Sequence, residues 1–329
     1  MDLKSLLKTT DPVSNLTYHD MLIESYEYYN IPFPQKIYSI KKSNIENFYK
    51  NNINGWARNY EDIYSGIYLI SNLVYYHNVR NLWKKMSLHS DSLISKTALD
   101  LLNQGFTIIK IEDNEPFKIS LSNKLNLLLR FVLSGCGHRD IKTNFLPKTL
   151  HKISTIYSEL YFFNENLTSN LQLVACGQSP NKSEFPDVYE WHYDLPYPNL
   201  KSFYNPENLV EMNGPYSYIP KSNLYTSEKA IILIASALAQ FDQKKDAPQN
   251  INIVSNFYNI YRTHKYIPSI MEDIRKRERV IFDLPKNHLV ITDNFGLHRK
   301  TAGFWGMKYT RAYIHPIPYP RANAKFWDI

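Results

Sequence analysis

The sequence predicts a mainly β protein, an antiparallel sandwich or barrel with helices around it. Two observations carry this. From about residue 165, short β-rich runs recur between Pro, Asn and Gly: LQLVACG, VYEWHYD, LKSFYN, YSYIP, HLVITDNF and TRAYIHPIP. Residues 1 to about 92, and again about 222–280, carry helical patterning instead. The chain is therefore expected to be a helical N-terminal region (1–92) packed on a β domain (93–329) with one helical insertion. An insertion of this size lies over a site as a lid or serves only as packing, and the sequence leaves both readings open.

The elements follow in order. YEDIYSGIYLISNLVYYHNVRNLWKKM (60–86) spaces its apolar residues by three and four, which predicts an amphipathic helix. Ser90-Asp91-Ser92 offers N-cap chemistry ahead of SLISKTALDLLNQ, and Gly105 is a natural stop. FTIIK (106–110) then reads as a strand. In the insertion, SEKAIILIASALAQF and SIMEDIRKRERV are the helical stretches.

Composition excludes several classes. The chain has 329 residues, 43% of them hydrophobic and 21% charged, as in ordinary globular proteins. Formal net charge is +7. The basic residues are scattered, and the one tight cluster, Arg275-Lys276-Arg277-Glu278-Arg279, reads as a solvated helix face. No nucleic-acid-binding module is visible. Cys136 and Cys176 lie far apart in sequence and form neither a disulfide framework nor a Cys-x-x-Cys zinc site. The opening MDLKSLLKTTDPVS has no apolar core of a signal peptide. The run IILIASALA (231–239) is about half a membrane span. A soluble cytoplasmic protein without nucleic-acid or membrane partners is the expectation.

One chemistry-bearing pattern is His-x-Asp followed by a distant His, the sequence form of a mononuclear iron site with two imidazoles and a carboxylate. The tripeptide alone is weak, because a chain with 10 His and 31 acids supplies roughly one by chance. Here there are three: His89-Ser90-Asp91, His138-Arg139-Asp140 and His192-Tyr193-Asp194. The pair His89/Asp91 sits at a helix start, where Asp91 has a sufficient role as a cap. The string from His138 to Asn144 is similar to the catalytic loop of a protein kinase, but Asn144 lies four residues after the Asp instead of five, and no Gly-rich loop precedes it. His192-Tyr193-Asp194 has a strand context, where period two puts His192 and Asp194 on one face and turns Tyr193 away.

Residues downstream add order to this pair. Asn213-Gly214-Pro215-Tyr216-Ser217-Tyr218-Ile219-Pro220-Lys221-Ser222 resembles the NGPL-x-x-IPGSH strand and turn of the phytanoyl-CoA hydroxylase-like family of Fe(II)/2-oxoglutarate-dependent dioxygenases. Leu284 to Asp293 resembles that family's GD-x-x-x-F strand, and Leu297-His298-Arg299 its LHR with the distal metal His. Arg311, thirteen residues after His298, stands where the family's co-substrate Arg does, and LDLLNQGFTII (99–109) is similar to its opening helix and strand. Lys221 replaces the family's usual Gly, and Asn223 its usual His.

The resemblance implies a double-stranded β-helix, a cupin-like jelly roll. It implies Fe(II) on His192, Asp194 and His298, with Arg311 clamping the far carboxylate of 2-oxoglutarate. It further implies that O2 and 2-oxoglutarate give succinate, CO2 and a ferryl oxidant that hydroxylates a substrate. Related halogenases have Gly or Ala at the Asp position, so Asp194 argues for hydroxylation, desaturation or ring closure. Thr301 and Gln172 are further candidate donors to the co-substrate. Trp191, Tyr193, Tyr197 and Tyr218 are candidates for the substrate wall, although aromatics at such strand positions are more often plain core. The net charge favours an anionic or carrier-bound substrate. The competing readings are a cupin-like metalloenzyme that does not use 2-oxoglutarate and a non-catalytic jelly-roll binding protein. Arg311 discriminates the first of these and an intact triad the second.

Overall fold

The computed structural model describes residues 2–11, 14–51, 55–110, 136–141, 155–160, 171–176, 190–205, 215–246, 265–300 and 309–314. In 136–141, 171–176 and 309–314 it is the backbone pairing that is described. Six helices come first: α1 (Leu3–Leu7), α2 (Tyr18–Tyr28), α3 (Lys42–Asn51), α4 (Tyr60–Tyr64), α5 (Ile67–Met86) and α6 (Ser92–Asn103). The stretch expected as one helix over 60–86 is two, because Gly66 takes φ 80° at the junction. Only glycine enters that left-handed region without penalty. Asp91 caps α6 by accepting from Leu93 N and Ile94 N, at 2.8 and 3.2 Å. Its His89-x-Asp91 pair is thereby a cap, with His89 Nδ1 accepting from Asp91 N at 3.0 Å.

Nine strands follow among the described residues. Six form one antiparallel sheet in the order β1 (Phe106–Lys110), β7 (His288–Asp293), β4 (Leu200–Asn205), β9 (Tyr309–Ile314), β3 (Leu171–Cys176), β2 (Cys136–Ile141). Three form a smaller one, β6 (Val280–Ile281), β5 (Tyr216–Tyr218) and β8 (His298–Lys300). The two sheets share a buried cluster. Phe106, Phe203 and Val290 of the large sheet meet Tyr216 and Tyr218 of the small one, with Phe282 between. Phe203 and Tyr216 lie 4.4 Å apart with their rings tilted by 36°, and Phe106 meets Phe282 edge-on at 5.1 Å.

Two expectations change, and two further placements come into view. Among the described residues more lie in helices than in strands, so "mainly β" gives way to helices around two antiparallel sheets. Within VYEWHYD, the described residues 190–194 form no strand: His192 makes one isolated bridge to His298, and bends follow. The His138-Arg139-Asp140 string lies in β2 at the edge of the large sheet, not in a loop. Cys136 and Cys176, unrelated by sequence spacing, are register partners on β2 and β3.

The insertion contributes α7 (Ser227–Asp246) and α8 (Pro268–Lys276). The greasy run of α7 is enclosed by protein. Tyr29 and Tyr68 of the N-terminal helices donate to Ile231 O and Leu233 O, at 3.0 and 3.3 Å. From the other side, Tyr193 donates to Ser236 Oγ at 2.8 Å. This helix packs between the N-terminal helices and the 192–194 segment. No described helix is long and apolar enough to cross a membrane.

Candidate metal centre

His192, Asp194 and His298 come together, with one potential ligand atom from each lying within 4.8 Å of the others. Backbone pairing does most of this. His192 N donates to His298 O at 3.0 Å, and His298 N donates to His192 O at 2.8 Å. Two residues that exchange both bonds are directly opposite in an antiparallel ladder and project to the same face. The rings lie 4.4 Å apart. Asp194 is drawn in by a third backbone bond, from its N to Asn294 O at 3.2 Å.

Each imidazole is held in one tautomer. His192 Nδ1 lies 2.8 Å from Glu190 O, and His298 Nδ1 lies 3.0 Å from Gly296 O. A carbonyl only accepts, so both Nδ1 atoms act as donors, and Nε2 is the nitrogen that each imidazole turns toward Asp194. Burial, and then neighbouring His298, push the His192 pKa down to about 3, so it stays neutral at working pH. For Asp194, burial alone raises the pKa. Lys201 first, then the two imidazoles, outweigh it and hold the carboxyl well below the usual range.

The Asp194 carboxylate is shared between two tasks. Oδ1 faces the imidazoles, 3.3 Å from His298 Nε2 and 3.9 Å from His192 Nε2. Oδ2 accepts from Lys201 Nζ at 2.9 Å and from Asn294 Nδ2 at 2.6 Å. Asn294 is itself fixed, since its Oδ1 accepts from Thr292 Oγ1 at 2.7 Å and Tyr216 OH at 3.1 Å. Tyr216 also stacks on the His298 ring at 5.2 Å. Ligands about 2.1 Å from a first-row ion and at right angles stand about 3 Å apart. The donor set and its spacing therefore fit such an ion with a small inward adjustment.

The turn between β7 and β8 carries this geometry. The buried carboxylate of Asp293 accepts from Asn199 N and Phe295 N through Oδ1, both at 3.1 Å, and from Asn223 Nδ2 through Oδ2 at 3.1 Å. Burial, working against these donors, raises its pKa to about 6. Ser222 Oγ accepts from Leu297 N at 2.7 Å, which joins the 215–222 segment to the His298 strand. Lys221, at the usual glycine position, does adopt a left-handed φ of 64°.

Lys201, Asn294 and Tyr216 are not singled out as site residues by the sequence. Lys201 carries a signal: it shares strand parity with Phe203, so it is a lone charge on an inward apolar face. Trp191, Tyr193, Tyr197 and Tyr218 are buried members of the core. The side chain of Arg311 lies outside the described residues, as does Thr301 and the side chain of Gln172. The backbone register nevertheless pairs position 311 with Val174 and sets it on the sheet face of Tyr313, Phe203 and Lys201.

Neither a family model nor a curated protein matches the sequence. Among solved structures, the non-haem α-ketoglutarate-dependent carbocyclase SnoK from nogalamycin biosynthesis is similar at 13% identity and TM-score 0.33, covering 69% of this chain and 85% of that one. The epimerase SnoN in complex with Fe3+, α-ketoglutarate and nogalamycin RO is similar at 11% identity and TM-score 0.36, covering 72% and 90%. The Kdo hydroxylase KdoO, a non-haem Fe(II) α-ketoglutarate-dependent dioxygenase in complex with cobalt(II), is similar at 12% identity and TM-score 0.34, covering 68% and 84%.

Proposed function

We propose that this chain is an Fe(II)/2-oxoglutarate-dependent dioxygenase that hydroxylates a small-molecule or carrier-bound substrate. One observation carries the proposal: two imidazole nitrogens and one carboxylate oxygen converge within 4.8 Å from residues in the order His-x-Asp…His. Three protein ligands on one face leave the opposite positions of an octahedral ion open. When bound there, Fe(II) with 2-oxoglutarate and O2 supplies an oxidising centre and releases succinate and CO2.

The chain's own residues prepare that centre. His192 and His298 present their Nε2 atoms, each ring oriented by an Nδ1–H donated to a backbone carbonyl. Asp194 presents Oδ1, while Asn294 and Lys201 hold Oδ2 and fix the carboxylate plane. Tyr216 and Phe203 form an apolar wall beside His298 and keep bulk water from it. Arg311, on the inward face by register, is our candidate clamp for the C5 carboxylate of 2-oxoglutarate. We further take the two sheets to be the parts of a double-stranded β-helix within 93–329, with 1–92 as a helical region packed on it.

The test is anaerobic addition of Fe(II) and 2-oxoglutarate to the purified protein. A weak visible metal-to-ligand charge-transfer band is expected in the wild type and is lost in His298→Ala. Arg311→Ala should bind 2-oxoglutarate far more weakly, with iron binding retained. Absence of the band in the wild type rejects the proposal. Substrate classes are then screened by accelerated succinate release.

A further inference from the structure

Trp191 and Arg299 are chain neighbours of the two metal-site imidazoles, and they face the other way. Because His192 and His298 are paired across the ladder, residues one step along each strand meet on the opposite side. There the Arg299 guanidinium lies over the Trp191 indole, 4.6 Å from the ring centroid. Arg299 Nε and Trp191 Nε1 are both buried, and neither has a hydrogen-bond partner among the described residues. Trp191 is 2% exposed. Polar donors withdrawn from water almost always have an acceptor, so two adjacent orphans require an explanation.

The charge around them is lopsided. Arg279 and Arg275 act on Arg299 with like charge, and Glu190 is the acid that opposes them. Glu190 accepts from Arg275 Nη2 at 3.4 Å. Arg277, which lies between them in sequence, is instead spent on Glu228, to which it gives Nη1 at 2.9 Å and a second, shorter bond from Nη2. Arg279 immediately precedes β6, whose Ile281 is, like Arg299, a register partner of Ser217. Arg275 and Arg279 are exposed and form the rim, whereas Arg299 and Trp191 form the floor.

We infer that this outer face of the small sheet is a binding site for a phosphate group, seated on Arg299 and Trp191 and closed by Arg275 and Arg279. Three guanidiniums against one carboxylate leave an excess suited to a dianion. Guanidinium forks give paired N–H donors to phosphate oxygens, and the indole adds a neutral one. The donors that lack partners are the ones a bound oxyanion would satisfy. The site shares strands with the metal centre but not its face, so the inference stands or falls apart from the iron reading.

The test is calorimetric titration of the full-length protein with inorganic phosphate, with acetate at matched ionic strength as control. Saturable one-to-one phosphate binding is expected, at least tenfold tighter than acetate. Arg299→Gln should weaken it at least tenfold, and Trp191→Phe, which keeps the ring but removes the N–H, several-fold. Arg279→Gln changes an exposed side chain, leaves the fold intact and should still weaken binding. Arg277→Gln should bind as the wild type does. Equal affinity for acetate, or an Arg277→Gln loss as large as that of Arg299→Gln, overturns the site in favour of general surface charge. A phosphomonoester that binds as tightly as phosphate identifies phosphorylated compounds as the ligand. One that binds tenfold more weakly identifies the free ion, and either result supports the site.

Discussion

Lys201 Nζ lies 2.9 Å from Oδ2 of Asp194, the carboxylate oxygen that the two imidazoles do not face. Both partners are mostly out of water, at 15% and 21% side-chain exposure. The ammonium thus keeps a buried carboxylate ionised while leaving Oδ1 open to an ion. It is a local counter-charge that precedes metal binding.

Lys201→Met removes that counter-charge and little volume. Breaking a buried ion pair costs about 3–5 kcal/mol, and residual exposure plus the remaining Asn294 bond place this case near about 2–3 kcal/mol. A bound divalent ion supplies positive charge to the same carboxylate. The stability gap between wild type and Lys201→Met should therefore narrow when Co(II) is added, as read by urea unfolding with and without metal. A gap unchanged by Co(II) would show that Lys201 acts through packing alone.

Asn294 fixes Asp194 twice, by its side-chain Nδ2 at 2.6 Å and its backbone carbonyl at 3.2 Å. Asn294→Leu removes only the first. Groups that orient metal ligands are worth about 10–100-fold in metal affinity. Co(II) titration should show a loss in that range, with a changed d–d spectrum because the Asp194 plane is released. His298→Ala, by contrast, should remove the spectrum entirely.

Much of this is legible in the sequence, and the failures have physical causes. His192, Asp194 and His298 stand out because metal ligation demands particular residue types in a fixed order. β1 and the Asp91 cap are legible because local propensity and tertiary structure agree there. The strand expected at VYEWHYD fails for a tertiary reason: one bridge to His298 and a bond from Asp194 N to Asn294 O replace a ladder. Alternation survives without the strand, since Tyr193 still turns away, its ring stacked on Trp56 at 5.7 Å. Lys201 and Asn294 escape notice because a supporting residue has no spacing rule. It is defined by which strand lies beside the ligand, and that is settled by long-range pairing.

Gly296 illustrates the same dependence. A Cβ at this position would fall on the hydroxyl and ring of Tyr218, whose OH donates to Asp293 O at 2.9 Å. Gly296 also supplies the carbonyl that sets the His298 tautomer. Gly296→Ala should cost about 1–3 kcal/mol from overpacking. It should also lower Co(II) affinity, because the clash with Tyr218 displaces the residue 296 carbonyl that fixes the His298 ring. Thermal unfolding without metal and Co(II) titration separate the two effects, and unchanged affinity in a folded variant would refute the link to His298.

Lys229 of α7 makes a prediction in pH. It is 3% exposed, donates to Phe295 O at 2.6 Å and lies over the rings of Phe295 and Tyr193, at 4.5 and 5.0 Å. Burial brings its pKa down to about 7, with Glu228 and Asp293 pulling it up and Arg277 pushing it down. The unfolded chain keeps the ordinary value near 10.5, so between about pH 7 and 10.5 the unfolded state binds more protons. Stability contributed at this position therefore rises with pH across that window, and the burial penalty is fully present below it. Lys229→Met removes the titrating group but keeps the apolar stem. Its advantage over wild type should be greatest near about pH 6.5 and shrink steadily toward about pH 10, in urea unfolding at matched ionic strength. Asp293, coupled to Lys229 and raised to about 6, titrates below the window from about pH 7 to 10, where the comparison is read. A difference that is flat across the window would mean that Lys229 keeps its proton, held by the Phe295 carbonyl and the two aromatic faces.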